Sequence, residues 1–157
     1  MKKIMFLIVL LLFLGGCSKE EQTKMPTEYY ATYNSIEIKP GTFFNNLLST
    51  IGEYNNYRIE DSSFNNEKAT IYEYDTFEVE TYYDNNIEKI YSITFTSDEQ
   101  LTNEGIKIGD TKEKMLSTYK DNYTNPTENT FIYNLSNTNI SFIIENGIII
   151  EIVYYLS

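Results

Sequence analysis

Apolar residues recur along this chain at two periods, and those periods lay out the elements. Phe44, Leu47, Leu48 and Ile51 stand at helical spacing, as do Met115, Leu116 and Tyr119. Residues three and four apart share a helix face, so each set predicts a short amphipathic helix that needs a sheet to lie on. Gly52 supplies a C-cap for the first helix. Runs rich in Tyr, Ile, Val, Thr and Phe predict strands over 56–61, 69–74, 76–83 and 89–96, then over 130–135, 140–145 and 148–156 after a weaker first strand. The clusters 62–67 and 84–86 read as turns, and Asn146-Gly147 is a two-residue hairpin signal. Short turns force antiparallel neighbours, so the expected fold is α+β with about eight strands in antiparallel meanders.

An internal repeat sharpens this expectation. At a spacing of 68, Ile38-Lys39-Pro40-Gly41-Thr42 aligns with Ile106-Lys107-Ile108-Gly109-Asp110, and six of the thirteen pairs from 38 to 50 are identical. Each copy has an extended pair ending at a glycine turn. Thr42 or Asp110 then offers a side-chain oxygen as an N-cap, and a helix and strands follow. The expected organisation is a tandem repeat of a short helix packed on a meander, over 35–98 and 99–157. One irregular α+β domain whose halves match by accident is the other reading.

Before the repeats the pattern changes. Lys2 and Lys3 precede an unbroken run of eleven apolar residues, Ile4 to Leu14, then Gly15, Gly16 and the only cysteine, Cys17. The run is short for a bilayer span and suits the apolar core of a secretory signal. Leu14-Gly15-Gly16-Cys17 resembles the lipobox of bacterial lipoproteins. That resemblance implies a signal peptide over 1–16, recognition by signal peptidase II at Leu14, Gly15 and Gly16, and a diacylglyceryl thioether on Cys17. It places the mature protein on the extracytoplasmic face of the cell membrane, and two acyl chains give stable attachment where one binds marginally. Residues 17–34 are polar and carry Pro26, so they read as a tether. Fully extended, the seventeen residues after Cys17, 18–34, reach roughly 55–60 Å. The ordered domain is expected from about Ser35, with Tyr29, Tyr30 and Tyr33 beginning to dock on it.

Charge narrows the partners. Beyond Cys17 the chain keeps 10 basic residues against 23 acidic ones. Such a surface does not displace counterions from phosphates, so no nucleic-acid partner is expected. With no histidine and a single cysteine, no disulfide, metal site or cofactor is expected either. Asp84-Asn85-Asn86 and Asp121-Asn122 lack the spaced ligands of a calcium loop, which leaves only weak, unspecific calcium association with the acidic surface open. The Asn, Ile, Lys and Tyr bias, with Arg58 as sole arginine, suits a low-GC Gram-positive source.

A capped helix plus meander, opened twice by I-K-x-G-[T/D], resembles the repeated fold of the secreted β-lactamase inhibitor proteins, and the opening is similar to that of small outer-membrane assembly lipoproteins. Residues 69–95, 105–119 and 139–154 are more closely similar to a group of uncharacterised clostridial lipoproteins. These likenesses imply architecture. The inhibitor proteins carry disulfides within their repeats and this chain has none, so lactamase inhibition does not transfer with the fold.

Catalysis would have to use carboxylates, Tyr, Lys or Ser. Glu78 and Glu80 stand two apart on one strand face, the separation a carboxylate-based wall hydrolase needs, and also the pattern of any solvated strand. Ser49-Thr50 and Ser117-Thr118 read as small packing positions on the helices. If Phe77 and Val79 face the helices, Glu78, Glu80 and Tyr82 face away. On the last strand Ile148, Ile150, Ile152 and Tyr154 would face in, and Ile149, Val153 and Tyr155 out. Glu78, Glu80, Tyr82, Ile149, Val153 and Tyr155 therefore form the candidate surface for a cell-surface protein or a cell-wall polymer. The competing reading is that tyrosine replaces apolar residues in an AT-rich coding background. The function expected is a non-catalytic lipid-anchored binding or accessory module, with an enzyme inhibitor or a wall hydrolase as alternatives.

Overall fold

The computed structural model describes residues 27–62, 64 and 67–157. Its elements run β1 (Ala31–Tyr33), β2 (Ile36–Ile38), α1 (Phe44–Ile51), β3 (Asn56–Asp61), β4 (Lys68–Glu73), β5 (Phe77–Asp84), β6 (Ile87–Phe95), α2 (Lys112–Tyr119), β7 (Thr124–Thr127), β8 (Thr130–Leu135), β9 (Thr138–Glu145) and β10 (Ile148–Leu156). β1 and β2 form a hairpin of their own. The other strands make one eight-stranded sheet in the order β3-β4-β5-β6-β10-β9-β8-β7, and every pairing is antiparallel. The fold is thus α+β and mostly β. Among the described residues no helix is long and apolar enough to cross a membrane.

Tight turns set the strand register. Asn85 and Asn86 have φ of 52° and 64°, and Asn146 and Gly147 have 51° and 80°. This is the left-handed backbone that two-residue hairpins need, and Asn and Gly adopt it at least cost. Alternation then sorts the side chains. Phe77, Val79, Ile93, Phe95, Phe131, Tyr133, Ile140, Phe142, Ile152 and Tyr154 are buried on the face that carries the helices. Burying one such side chain contributes about 1.5–3 kcal/mol.

Both helices lie on that face. Phe44 of α1 stacks on Tyr72 of β4, ring centres 4.0 Å apart, and Leu47 is buried beside it. Met115 is the fully buried residue of α2, while Tyr119 packs against Tyr133 and Phe142. Eight-residue helices are too short to hold themselves together in water, so sheet contact sustains them. Gly52 closes α1 as expected, with φ of 93° and its N–H donating to the Leu48 carbonyl.

The N-caps fall one residue later than the pattern indicates. Phe43 caps α1 with no side-chain hydrogen bond, and Thr111 caps α2 by accepting from the Lys114 N–H. The cause is backbone pairing that keeps the chain extended past the glycine turns. Ile90 N–H donates to the Thr42 carbonyl and Ile149 N–H to the Asp110 carbonyl, with bridges Phe43 to Lys89 and Thr111 to Ile148. Asp110 instead accepts from the Lys107 N–H and the Lys114 ammonium. Ser49, Thr50 and Ser117 are exposed rather than packing positions, and like the half-buried Thr118 their hydroxyls donate back to carbonyls of their own helix.

The packed body also starts earlier than Ser35. Ala31 is 2% exposed, and Tyr33 meets Phe77 edge-on at 5.1 Å. Tyr29 N–H donates to Thr138 Oγ1, and Gln100 Nε2 to the Thr32 carbonyl. Tyr33 thus belongs to an N-terminal hairpin, β1–β2, that contributes Ala31 and Ile38 to the core, and Tyr29, just before it, packs against that core.

Candidate functional site

The face of the sheet opposite the helices gathers most of the expected surface residues. Directly paired residues of antiparallel strands share a face. Glu78, Thr94 and Val153 therefore form one cross-strand row, and Glu80, Ser92 and Tyr155 the next. Tyr82 follows Glu80 on β5. Five of the six candidates, Glu78, Glu80, Tyr82, Val153 and Tyr155, are half-buried on this outward face. Ile149 is not among them. It is wholly buried on the helix side, whereas Ile148 and Ile150, expected inward, are exposed.

A bulge explains the exchange. Ile149 pairs with Ile144 but Glu151 pairs with Ile143, so Ile150 is an extra residue in β10. An extra residue reverses the alternation on one side of it, and period-two reading fails across it. β6 has the same irregularity: Ser92 pairs with Glu80 and Ile90 with Thr81, leaving Tyr91 as the extra residue. That bulge aims Tyr91 outward, where strict alternation gave no reason to look for it.

Tyr91 organises an aromatic cluster. Its ring centre lies 4.7 Å from Phe64, 6.4 Å from Tyr82 at a near-perpendicular angle, and 6.5 Å from Tyr155. Burial raises the pKa of Tyr91, and the Glu80 carboxylate adds to the effect; burial alone raises that of Tyr155. Glu80 accepts from Ser62 at 2.9 Å and from Ser92 at 3.5 Å. Phe64 is 48% exposed and Tyr91 only 9%, with Tyr82 and Tyr155 half-buried, so the cluster gives the outward face aromatic contact area beside the Glu80 carboxylate.

Arg58 holds the other end of the face. Its guanidinium donates to both oxygens of Glu78 at 3.0 and 2.7 Å, to Glu73 at 2.8 Å and to Glu60 at 2.8 Å. A planar fork matched to a carboxylate is the geometry for which arginine is suited. Glu78 is thus committed to Arg58 and Glu80 to two serines, so the pair is hydrogen-bonded into the face. The signal for this network was the sole arginine, on a strand whose own Glu60 and the following strands' Glu73 and Glu78 lie on the same side.

Among the described residues no three His, Cys, Asp or Glu side chains are grouped to hold a metal ion. A cleft of about 230 Å³ lies between β2 and α1, floored by Ile38, Leu47 and Ile90. It is smaller than the pockets that enclose most small-molecule ligands. Leu14, Gly15, Gly16 and Cys17 lie outside the described residues.

No protein-family model matches the chain, and no curated protein matches it. Among solved structures, the uncharacterized protein yfeY from Escherichia coli is similar with a TM-score of 0.47 and 13% identity, over 82% of this chain and 95% of that one. The likeness assigns no activity.

The Arg58 network has a pH signature. Hydrogen bonding to Arg58 holds the Glu73 carboxyl below its ordinary value of 4.5, helped by Asn56. A carboxyl depressed in the folded state contributes stability above its unfolded value and loses it as pH falls through the folded one. The midpoint of urea unfolding should therefore drop on acidification below about pH 4.5, and Arg58→Met should make that drop shallower. An identical acid slope in the two proteins would contradict the assignment.

Proposed function

We propose that this protein is a lipid-anchored, extracytoplasmic, non-catalytic binding module, attached through Cys17 and presenting its outward sheet face to a surface protein or wall polymer. The observation that carries the reading is the face itself. Glu78, Glu80, Tyr82, Tyr91, Val153 and Tyr155 lie together on it, and both helices pack on the other side. Tyrosine-rich patches with a hydrogen-bonded polar component are suited to partner contact. The lipobox resemblance supports the anchor.

A cross-linking pulldown from whole cells tests this. The lipidated protein should capture one dominant partner, and Tyr82→Ala/Val153→Ala/Tyr155→Ala should lose it while keeping the wild-type circular dichroism spectrum. Cys17→Ala should lose both membrane attachment and capture. Equal capture by the folded triple variant would sink the reading.

We also infer that the chain is two copies of one helix-and-meander unit. Support comes from hydrogen bonds that recur in both halves. Gly41 N–H donates to the Ile90 carbonyl and Gly109 N–H to the Ile149 carbonyl, and the answering bonds come from Ile90 and Ile149. The bulged residues Tyr91 and Ile150 stand one position after those partners. If the turns are equivalent, Gly41→Ala and Gly109→Ala should each destabilise by about 1–2 kcal/mol, since both glycines sit in left-handed backbone. Gly41→Ala should cost more, because its added carbon meets Leu156 Cδ2 at 3.2 Å while Gly109 opens on free space. A neutral effect at either glycine, measured by urea unfolding, would break the equivalence.

A further inference from the structure

The eight-stranded sheet has two edges, and they are built differently. β7, at one end, has four residues, includes Pro126, which has no N–H to offer, and pairs with β8 in a shifted register between Thr124 and Thr127. Short length, proline and irregular pairing are the usual means of blunting an edge against a further strand. β3, at the other end, has none of these three, and its protection is limited to the charges of Arg58, Glu60 and Asp61. It is six residues long without proline or lysine, and all six pair with β4 in unbroken register.

Among the described residues, no other strand pairs with β3, and its six residues make no further backbone hydrogen bonds outside that ladder. Its side chains divide by face. Tyr57 and Ile59, on the helix side, are 55% and 62% exposed, which leaves an apolar strip along the rim. On the outward side the charges beside the edge are Arg58, Glu60, Glu73 and Glu78, with the arginine fully engaged by the three glutamates. At the strand's end Asp61 pairs with Lys68.

We propose that the β3 edge takes up an extended segment of a partner protein as an added strand, and that the segment alternates basic and apolar residues. Backbone pairing along six residues would supply a sequence-independent share of the affinity. The alternation supplies the match: apolar side chains of the guest fall beside Tyr57 and Ile59 on one face, and basic ones beside Glu60 and its neighbours on the other. Charge selects against a second copy of this chain, whose formal net charge is −11. The rim shares Glu78 with the outward face but not the Tyr82, Tyr91 and Tyr155 cluster, so the Tyr82→Ala/Val153→Ala/Tyr155→Ala variant separates the two readings.

The probes are two fluorescent peptides of about eight residues with equal numbers of lysine and valine, one strictly alternating and one with the residues in two blocks. Titrated against the full-length protein in detergent, the alternating peptide should bind at least about tenfold more tightly than the block peptide. Ile59→Lys and, separately, Tyr57→Lys should weaken it by about tenfold, and because both side chains are exposed the variants should keep the wild-type circular dichroism spectrum. The Tyr82→Ala/Val153→Ala/Tyr155→Ala protein should bind it unchanged. Amide exchange in residues 56–61 should slow when the peptide is bound. Equal binding of both peptides, or unchanged exchange over 56–61, would overturn the proposal. So would dimerisation of the peptide-free protein that Ile59→Lys abolishes, since the edge would then serve self-pairing.

Discussion

The pairing of β6 with β10 is the constraint on which the rest of the structure depends. Thr94, Ile93 and Ser92 face Val153, Tyr154 and Tyr155, and this short antiparallel seam joins two four-stranded meanders into one sheet. On its helix side stand Ile90, Ile93, Phe95, Ile149, Ile152 and Tyr154, each no more than 2% exposed, with the Phe95 and Tyr154 rings 5.6 Å apart. The central layer of the core therefore draws equally on both meanders. Neither eight-residue helix has an apolar face large enough to build a core alone, and the β1–β2 hairpin adds Ala31 and Ile38 to the shared one.

The seam also determines what the outward face looks like. It brings Glu78 and Glu80 of one meander into the rows of Val153 and Tyr155 of the other. The bulge at Tyr91 then turns an aromatic ring outward beside them. A sheet covered on one side only must make its other side compatible with water, and here that is done with glutamates held by Arg58 and with tyrosines whose hydroxyl ends are polar, over small polar residues, Ser92, Asn139 and Ser141, that are themselves buried.

Much of this was legible in the sequence because it is local. Asn146-Gly147 specifies its hairpin, Gly52 its helix end, and the period-two runs place β3, β8 and β10 at the expected residues. The features that escaped are decided by tertiary pairing. Thr42 and Asp110 did not cap their helices, because backbone bonds to Ile90 and Ile149 hold them extended. Ile149 moved from the expected surface to the core because one bulged residue reverses the alternation. β1 falls within the stretch that reads as a tether, since a three-residue strand carries almost no periodic signal, although Tyr29, Tyr30 and Tyr33 are expected to dock. Of the candidate surface, five residues kept their side and one lost it. The difference lies wholly in whether a bulge intervened.

Native-state hydrogen exchange across a urea series tests the dependence on the seam most directly. Amides of β6 and β10 should open with the same free energy as global unfolding, and those of β5 and β9 beside them should merge with it as urea rises. One cooperative unit spanning both meanders is the predicted result. An opening of β7 through β10 at clearly lower free energy than β3 through β6 would contradict it, because the two meanders would then be stabilised separately rather than by their shared central strands.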